Sequence, residues 1–163
     1  MISCVDRLLQ KGFPIKLLLL GEGSEREALA EQISKAGLED RVFLAGNREP
    51  VTPYLSAADV YVSASLSEGL PFNVMEAMDA GLPIVASDSK GQLDLLSDYE
   101  GSLYPLYDEN GFCEVLLSVL KTRSYGVGTR KYPTLQKYRL SAVFENNMKI
   151  FTRGADTRDE AWN

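Results

Sequence analysis

"DVYVSASLSEGLPFNVMEAMDAGLPIVASD", residues 59–88, holds one complete strand–helix–strand unit. "DVYVSAS" (59–65) is rich in β-branched and aromatic residues, the composition of a strand. Pro71 suits the first turn of a helix, where its missing N–H costs nothing, and the apolar stretch behind it stops at Gly81. "PIVASD" (83–88) is a second apolar run. Two strands linked through a helix lie parallel, because a hairpin joins only antiparallel neighbours.

The same alternation extends outward. Upstream, "IKLLLLG" (15–21) is a continuous apolar run ended by glycine, as expected of a strand buried on both faces. "SEREALAEQISKAG" (24–37) reads as a helix with Ser24 and Glu27 as a capping box and Gly37 as its stop. "RVFLAG" (41–46) and a short helix near 51–57 follow. Downstream come a helix near 91–97, "GSLYPL" (101–106), and a helix from about 109 to 123. Repeated βα units predict an α/β fold: a doubly wound, Rossmann-like three-layer αβα domain with a parallel sheet of about five or six strands. Residues 1–151 form this domain, closing with a loop at 124–133 and an amphipathic helix at 134–151, and 152–163 is a polar, frayed tail. "SCVDRLLQKG" (3–12) is a helix directly before the first strand, so the chain reads as opening mid-unit, with a strand expected ahead of it.

Composition narrows the function. The chain has 163 residues, one domain's worth, with 45% hydrophobic and 25% charged residues. Its net charge of −6 and lack of a basic block argue against a nucleic-acid surface. Cys4 and Cys113 make neither a disulfide framework nor a zinc site. Without a signal peptide or an apolar run of spanning length, a reduced, cytoplasmic domain is expected, with peripheral contact at the inner membrane face left open for a longer polypeptide. Histidine is absent, which removes Ser-His-Asp and Cys-His nucleophilic sites from this chain.

In an open parallel sheet, ligands bind beyond the carboxyl ends of the strands. "EGLP" (68–71) is such a loop, and the amides of Gly69, Leu70, Phe72 and Asn73, with Val74 next in the turn, face outward at the positive end of a helix dipole. That suits a phosphate. Glu68 fits poorly beside a phosphate unless it meets another part of the ligand, such as sugar hydroxyls. Glu76 is expected among apolar neighbours (Val74, Met75, Ala77, Met78), where a carboxylate needs donors such as the 2′ and 3′ hydroxyls of a ribose. The plainer readings remain open: a glutamate before a helix complements its dipole, and one within a helix faces solvent.

The stretch resembles the signature of retaining family 4 glycosyltransferases: two glutamates separated by seven residues (Glu68, Glu76), then "EAM" (76–78) and "GLP" (81–83). "LLLLGEGSEREAL" and "RVFLAG…YLSAADVYVSAS" are similar to further family segments, and the likeness covers roughly residues 1–120. It implies the C-terminal, donor-binding half of a GT-B enzyme. That half binds a nucleotide diphosphate sugar, expected to be UDP-linked, and transfers a hexose to a glycan or lipid-linked acceptor held by an N-terminal domain. It also implies Glu68 as the catalytic carboxylate facing the sugar, Glu76 on the ribose, and backbone at Asn47 and Arg48 on the base, with a plain surface loop as the other reading there. The family's Arg…Lys diphosphate clamp would precede Met1, so this half is expected to be inactive alone. Where the family shows Gly-Gly-x-x-Glu, this chain has Lys90, Gly91, Gln92, Leu93 and Asp94.

Gly21-Glu22-Gly23 invites a dinucleotide fingerprint, but Arg26 stands where its third glycine belongs, so a tight turn is expected. Asp59 and Asp88 are expected to cap turns. No Asp-x-Asp occurs, so no metal ligand and no cofactor beyond the donor is expected. A nucleotide-sugar 2-epimerase half-domain and a non-catalytic Rossmann-like binding module are the alternatives, and the Glu68/Glu76 spacing with "EAM" favours the transferase over the epimerase.

Overall fold

The computed structural model describes residues 1–96 and 103–122. The expected loop at 124–133, helix at 134–151 and tail at 152–163 lie outside the described residues. In chain order the elements are α1 (Ile2–Gln10), β1 (Leu17–Leu20), α2 (Arg26–Lys35), β2 (Val42–Gly46), α3 (Thr52–Ala57), β3 (Tyr61–Ser63), α4 (Phe72–Asp79), β4 (Ile84–Ser87), α5 (Lys90–Leu96), β5 (Leu103–Tyr104) and α6 (Glu109–Lys121). Among the described residues strand and helix alternate, and each ladder between these strands is parallel. The α/β reading holds.

Among the described residues the five strands form two pieces, β1–β2 and β3–β4–β5, instead of the single sheet expected. Helix α1 bridges them. Its Cys4 and Leu8 pack with Val85, Tyr104 and α6, while Ile2 and Val5, on the adjoining stripe, pack with Ile33, Leu38 and Val42. A helix about 10–12 Å across covers about two strand spacings of 4.8 Å, so one helix can rest on β1 and β3 although no ladder joins those strands.

Strand β4 is the centre of the fold, buried at every position. Its Ile84 and Ala86 face a cluster built by Leu55 of α3, Val74, Ala77 and Met78 of α4, and Leu95 and Leu96 of α5. Val85 faces the opposite layer, among Cys4, Leu8, Phe112 and Leu116. This is the three-layer arrangement, and it is complete around β3–β5. Strand β1 differs from its expected burial on both faces. Leu18 is 44% and Leu20 38% exposed, and Phe43, in register with Leu18, is 40% exposed. The helices α1 and α2 cover one side of this piece, and on the other Lys16 Nζ lies 6.0 Å from the centre of the Phe43 ring.

Helix ends follow their local chemistry, with one correction. Gly81 takes φ 75°, and the bonds from Leu82 N–H to the Ala77 carbonyl and Gly81 N–H to the Met78 carbonyl close α4. Asp108 caps α6 by accepting from the N–H groups of Asn110 and Gly111. The capping box at Ser24 and Glu27 does not form. Helix α2 starts later, with Glu25 as N-cap and no side-chain cap bond. The cause is the preceding turn: Gly21 N–H donates to the Gly46 carbonyl, and Arg26 reaches back to Glu22 at 3.1 Å.

Candidate functional site

Parallel pairing puts the carboxyl ends of β1 and β2 on one rim and those of β3, β4 and β5 on another, and a shared depression brings the loop after β2 up to α4. The loops after β1 and β2 meet through the Gly21–Gly46 contact, and Arg26 also donates to the Leu44 carbonyl at 3.4 Å. Arg26 therefore ties this turn to β2, in keeping with a tight turn at residues 21–23. Beyond β2, Asn47 and Arg48 are exposed. Arg48, Glu49, Pro50, Val51 and Thr52 line an open depression together with Glu76. Its volume of about 710 Å³ lies in the range of small-molecule sites, roughly 300–1,000 Å³.

Glu76 corrects one expectation. It is exposed instead of sitting in apolar company. Helix periodicity explains why: Val74, Ala77 and Met78 fall on the buried stripe of α4, while Phe72, Asn73, Glu76 and Asp79 fall on the outer face. Pro71 is the N-cap of α4, one position earlier than expected. The Val74 side chain is wholly buried, its N–H donates to the Pro71 carbonyl at 3.1 Å, and Asn73 Oδ1 also accepts from it at 2.9 Å. Among the described residues, the N–H groups of Gly69, Leu70, Phe72 and Asn73 donate to no protein acceptor. Val74 contributes a buried anchor, and the four preceding amides remain available at the helix mouth.

Glu68 stands on the other side of that mouth, half-buried, and its carboxylate accepts from Ser65 Oγ. Ser87 Oγ lies 2.7 Å from the Ser65 carbonyl and 2.8 Å from the Gln92 carboxamide. The same carboxamide bonds Ser63 Oγ, and Tyr104 OH donates to the Ser63 carbonyl at 3.1 Å. Tyr61, beneath the two carboxylates, has its phenol pushed up to about 12 by burial first and then by the charges of Glu76 and Glu68. It stays a neutral phenol at ordinary pH. Asp88 holds the loop beyond β5 by accepting from Leu106 N–H at 2.7 Å, the turn-capping role expected of it, while Asp59 is simply exposed.

Glu68, Gly69, Leu70, Phe72 and Asn73 thus stand around the mouth of α4, and the depression brings Glu76, further along the same helix, together with Arg48. Sequence reasoning missed Tyr61, Ser65, Ser87, Gly91 and Gln92. The available signals were Gly91, a glycine inside a helix that asks for a packing reason, and the departure from the family's Gly-Gly-x-x-Glu at residues 90–94.

The fold is shared with GT-B glycosyltransferases. The crystal structure of HepE from Anabaena in complex with UDP aligns over 94% of this chain and 44% of that one, with a TM-score of 0.71 and 21% identity. The lipopolysaccharide core biosynthesis glycosyltransferase LpsE of Rhizobium meliloti is 32% identical over 111 residues, 68% of this chain and 33% of its own length. The poly(ribitol-phosphate) α-N-acetylglucosaminyltransferase of Staphylococcus aureus is 27% identical over 157 residues, 93% of this chain and 32% of its own length. The chain spans about a third of these curated relatives. Residues 1–122 match the profile of the glycosyl transferases group 1, and the chain belongs to that family.

Proposed function

We propose that this site holds a nucleotide diphosphate sugar and that the polypeptide acts as a retaining hexosyltransferase in glycan or glycolipid assembly. The observation that carries the reading is the order of groups across the site. Arg48 and Glu76 face one depression, four amides without protein acceptors follow at the mouth of α4, and Glu68 stands beyond them. A base against Asn47 and Arg48, a ribose on Glu76, a diphosphate on the amides and a hexose on Glu68 match that order. The amides and helix dipole favour the leaving diphosphate as its charge grows. In the transfer, the bond from the anomeric carbon to the diphosphate oxygen breaks, an acceptor hydroxyl oxygen bonds that carbon, and the hydroxyl proton passes to the departing diphosphate oxygen. The acceptor class, a glycan or lipid-linked sugar, is supported by the relative named for lipopolysaccharide core biosynthesis and the donor class by the UDP in the HepE neighbour. No metal or further cofactor is assigned. Calorimetry of the 163-residue chain with UDP, UDP-sugars and uridine tests the donor half of this reading. UDP and a UDP-sugar bind and displace one another, and uridine binds more weakly because it lacks the diphosphate. Uridine binding as tightly as UDP would remove the phosphate role of the helix mouth.

A further inference from the structure

The loop that carries Glu68 leaves the sheet early. Strand β3 pairs with β4 only from Tyr61 to Ser63, so residues 64–69 run on without a ladder partner. Side chains from three later elements take over where the ladder stops. Tyr104 of β5 satisfies the Ser63 carbonyl, Gln92 of α5 bonds Ser63 Oγ, and Ser87 at the end of β4 bonds the Ser65 carbonyl. Ser65 Oγ then donates to Glu68. At the centre stands Gln92, a carboxamide with no solvent exposure.

Counting protons fixes how this chain of bonds runs. Ser87 has one hydroxyl proton and two neighbours, the Ser65 carbonyl at 2.7 Å and the Gln92 carboxamide at 2.8 Å. A carboxamide occupies the same space with its nitrogen and oxygen exchanged. With Nε2 toward Ser87 and Oε1 toward Ser63, each link has its own proton. Gln92 Nε2 donates to Ser87 Oγ, Ser87 donates to the Ser65 carbonyl, and Ser63 donates to Gln92 Oε1. The orientation in the structure, with Oε1 on Ser87 and Nε2 on Ser63, leaves the Ser65 carbonyl and the Gln92 oxygen competing for the single Ser87 proton.

Gly91 closes the arrangement from below. A Cβ at that position would come within 2.5 Å of the Glu68 carbonyl oxygen and 2.9 Å of the Gly69 carbonyl oxygen. Both obstacles are backbone, so the glutamate's peptide lies directly on α5.

We propose that Gln92 is a positioning residue for Glu68, acting through Ser87 and Ser65, with Gly91 as the seat on which the loop rests. The inference rests on the reading that Glu68 meets the donor sugar. The loop has no ladder of its own, so its conformation depends on these buried links, and so does the place of the carboxylate. The consequence is selective: disturbing Gln92 affects the sugar end of the ligand and spares the nucleotide end.

Three variants test it: Gln92→Leu, which keeps the volume and removes the polar links; Gly91→Ala, which pushes the loop while leaving Gln92 intact; and Ser65→Ala, which removes the last link in a partly exposed residue. Relaxation of the residue 65–69 amides is measured by NMR in the ligand-free chain, and affinities for UDP and UDP-glucose are measured by calorimetry. The expected result is new motion at 65–69 in Gln92→Leu and Gly91→Ala. All three variants should also shift the preference between UDP-glucose and UDP, whichever way the parent leans, to the level of Glu68→Ala; UDP affinity stays within about twofold in Gln92→Leu and Ser65→Ala and falls further in Gly91→Ala, which presses on the Gly69 peptide as well. Combining Gln92→Leu with Glu68→Ala adds nothing further, as for two changes in one linked path. Unaltered relaxation at 65–69 in both Gln92→Leu and Gly91→Ala overturns the positioning role whatever the ligand does. If Gln92→Leu fails to fold, Gly91→Ala and Ser65→Ala decide the matter. If Glu68→Ala alone leaves the preference unchanged, the sugar reading of Glu68 fails, and the relaxation data still judge the positioning separately.

Discussion

Glu68 and Glu76 are both carboxylates at one helix mouth, yet their surroundings set different tasks. Glu68 is half-buried and already accepts a bond from Ser65, whereas Glu76 is exposed in the depression that Arg48 also lines. A carboxylate free to accept two donors matches the two vicinal hydroxyls of a ribose. Hydrogen bonds to a charged group contribute roughly 1.5–3 kcal/mol each, so Glu76→Ala should weaken UDP binding by at least about tenfold. It should also erase the parent's preference for UDP over 2′-deoxy-UDP in competition titrations. A parent that binds both nucleotides equally well would take the ribose away from Glu76. The two glutamates stood out in the sequence through the family signature they resemble, since spacing alone left the plainer surface readings open. Their supports did not: Ser65–Ser87 and Ser63–Gln92 are separated by 22 and 29 positions, and serine and glutamine carry no signal of burial by themselves.

Helix α4 presents both the amides and Glu76, so its integrity matters more than its eight residues suggest. Its end depends on Gly81 at φ 75°. The left-handed conformation costs a residue with a Cβ about 1–2 kcal/mol, so Gly81→Ala should destabilise the chain by about that amount. The urea midpoint should drop with an unchanged slope, because the surface exposed on unfolding is the same. An unchanged midpoint would mean that the closing bonds at Ala77 and Met78 do not hold this helix end. Most elements were legible from apolar runs and glycine stops. The capping box at Ser24 failed because a long-range contact, Gly21 to Gly46, reshaped the turn that local chemistry had assigned to the helix. The unbroken leucines of β1 suggested two covered faces, but an apolar run reports what a strand could bury and does not name what lies against it. The split between β1–β2 and β3–β5 was equally invisible, since strand neighbours are a property of the assembled sheet.

At the scale of the whole molecule, three acids packed in the core or at its edge among the described residues link the packing to pH. The Cys4 thiol is raised from 9.0 to about 12, chiefly by burial and then by its contact with Cys113. Tyr61 and Tyr104 are each raised from 10.0 to about 12, again by burial first, with the charges of Glu76 and Glu68 acting on Tyr61 and that of Asp88 on Tyr104. In each case the fold favours the protonated, neutral form. The unfolded chain releases these protons at their ordinary values, so above pH 9 it binds fewer protons than the folded chain and stability falls as pH rises. The stabilisation is complete below pH 9 and disappears between 9 and about 12. Tyr61 packs against the cluster of α3, α4 and α5, and Cys4 and Tyr104 belong to the cluster of α1 and α6 on the opposite face of β4. Ionisation therefore acts on both outer layers, and the chain should lose its core as a unit. Urea midpoints followed from neutral to strongly alkaline pH should hold steady to about pH 9 and then fall continuously. Cys4→Val, which removes the earliest of the three titrations, should delay the onset toward pH 10. Tyrosinate absorbance gives the independent check: Tyr61 and Tyr104 should ionise together with unfolding and not before it. A midpoint flat across this range, with Tyr61 and Tyr104 titrating near 10, would show that the two clusters admit water and that burial does not hold these protons.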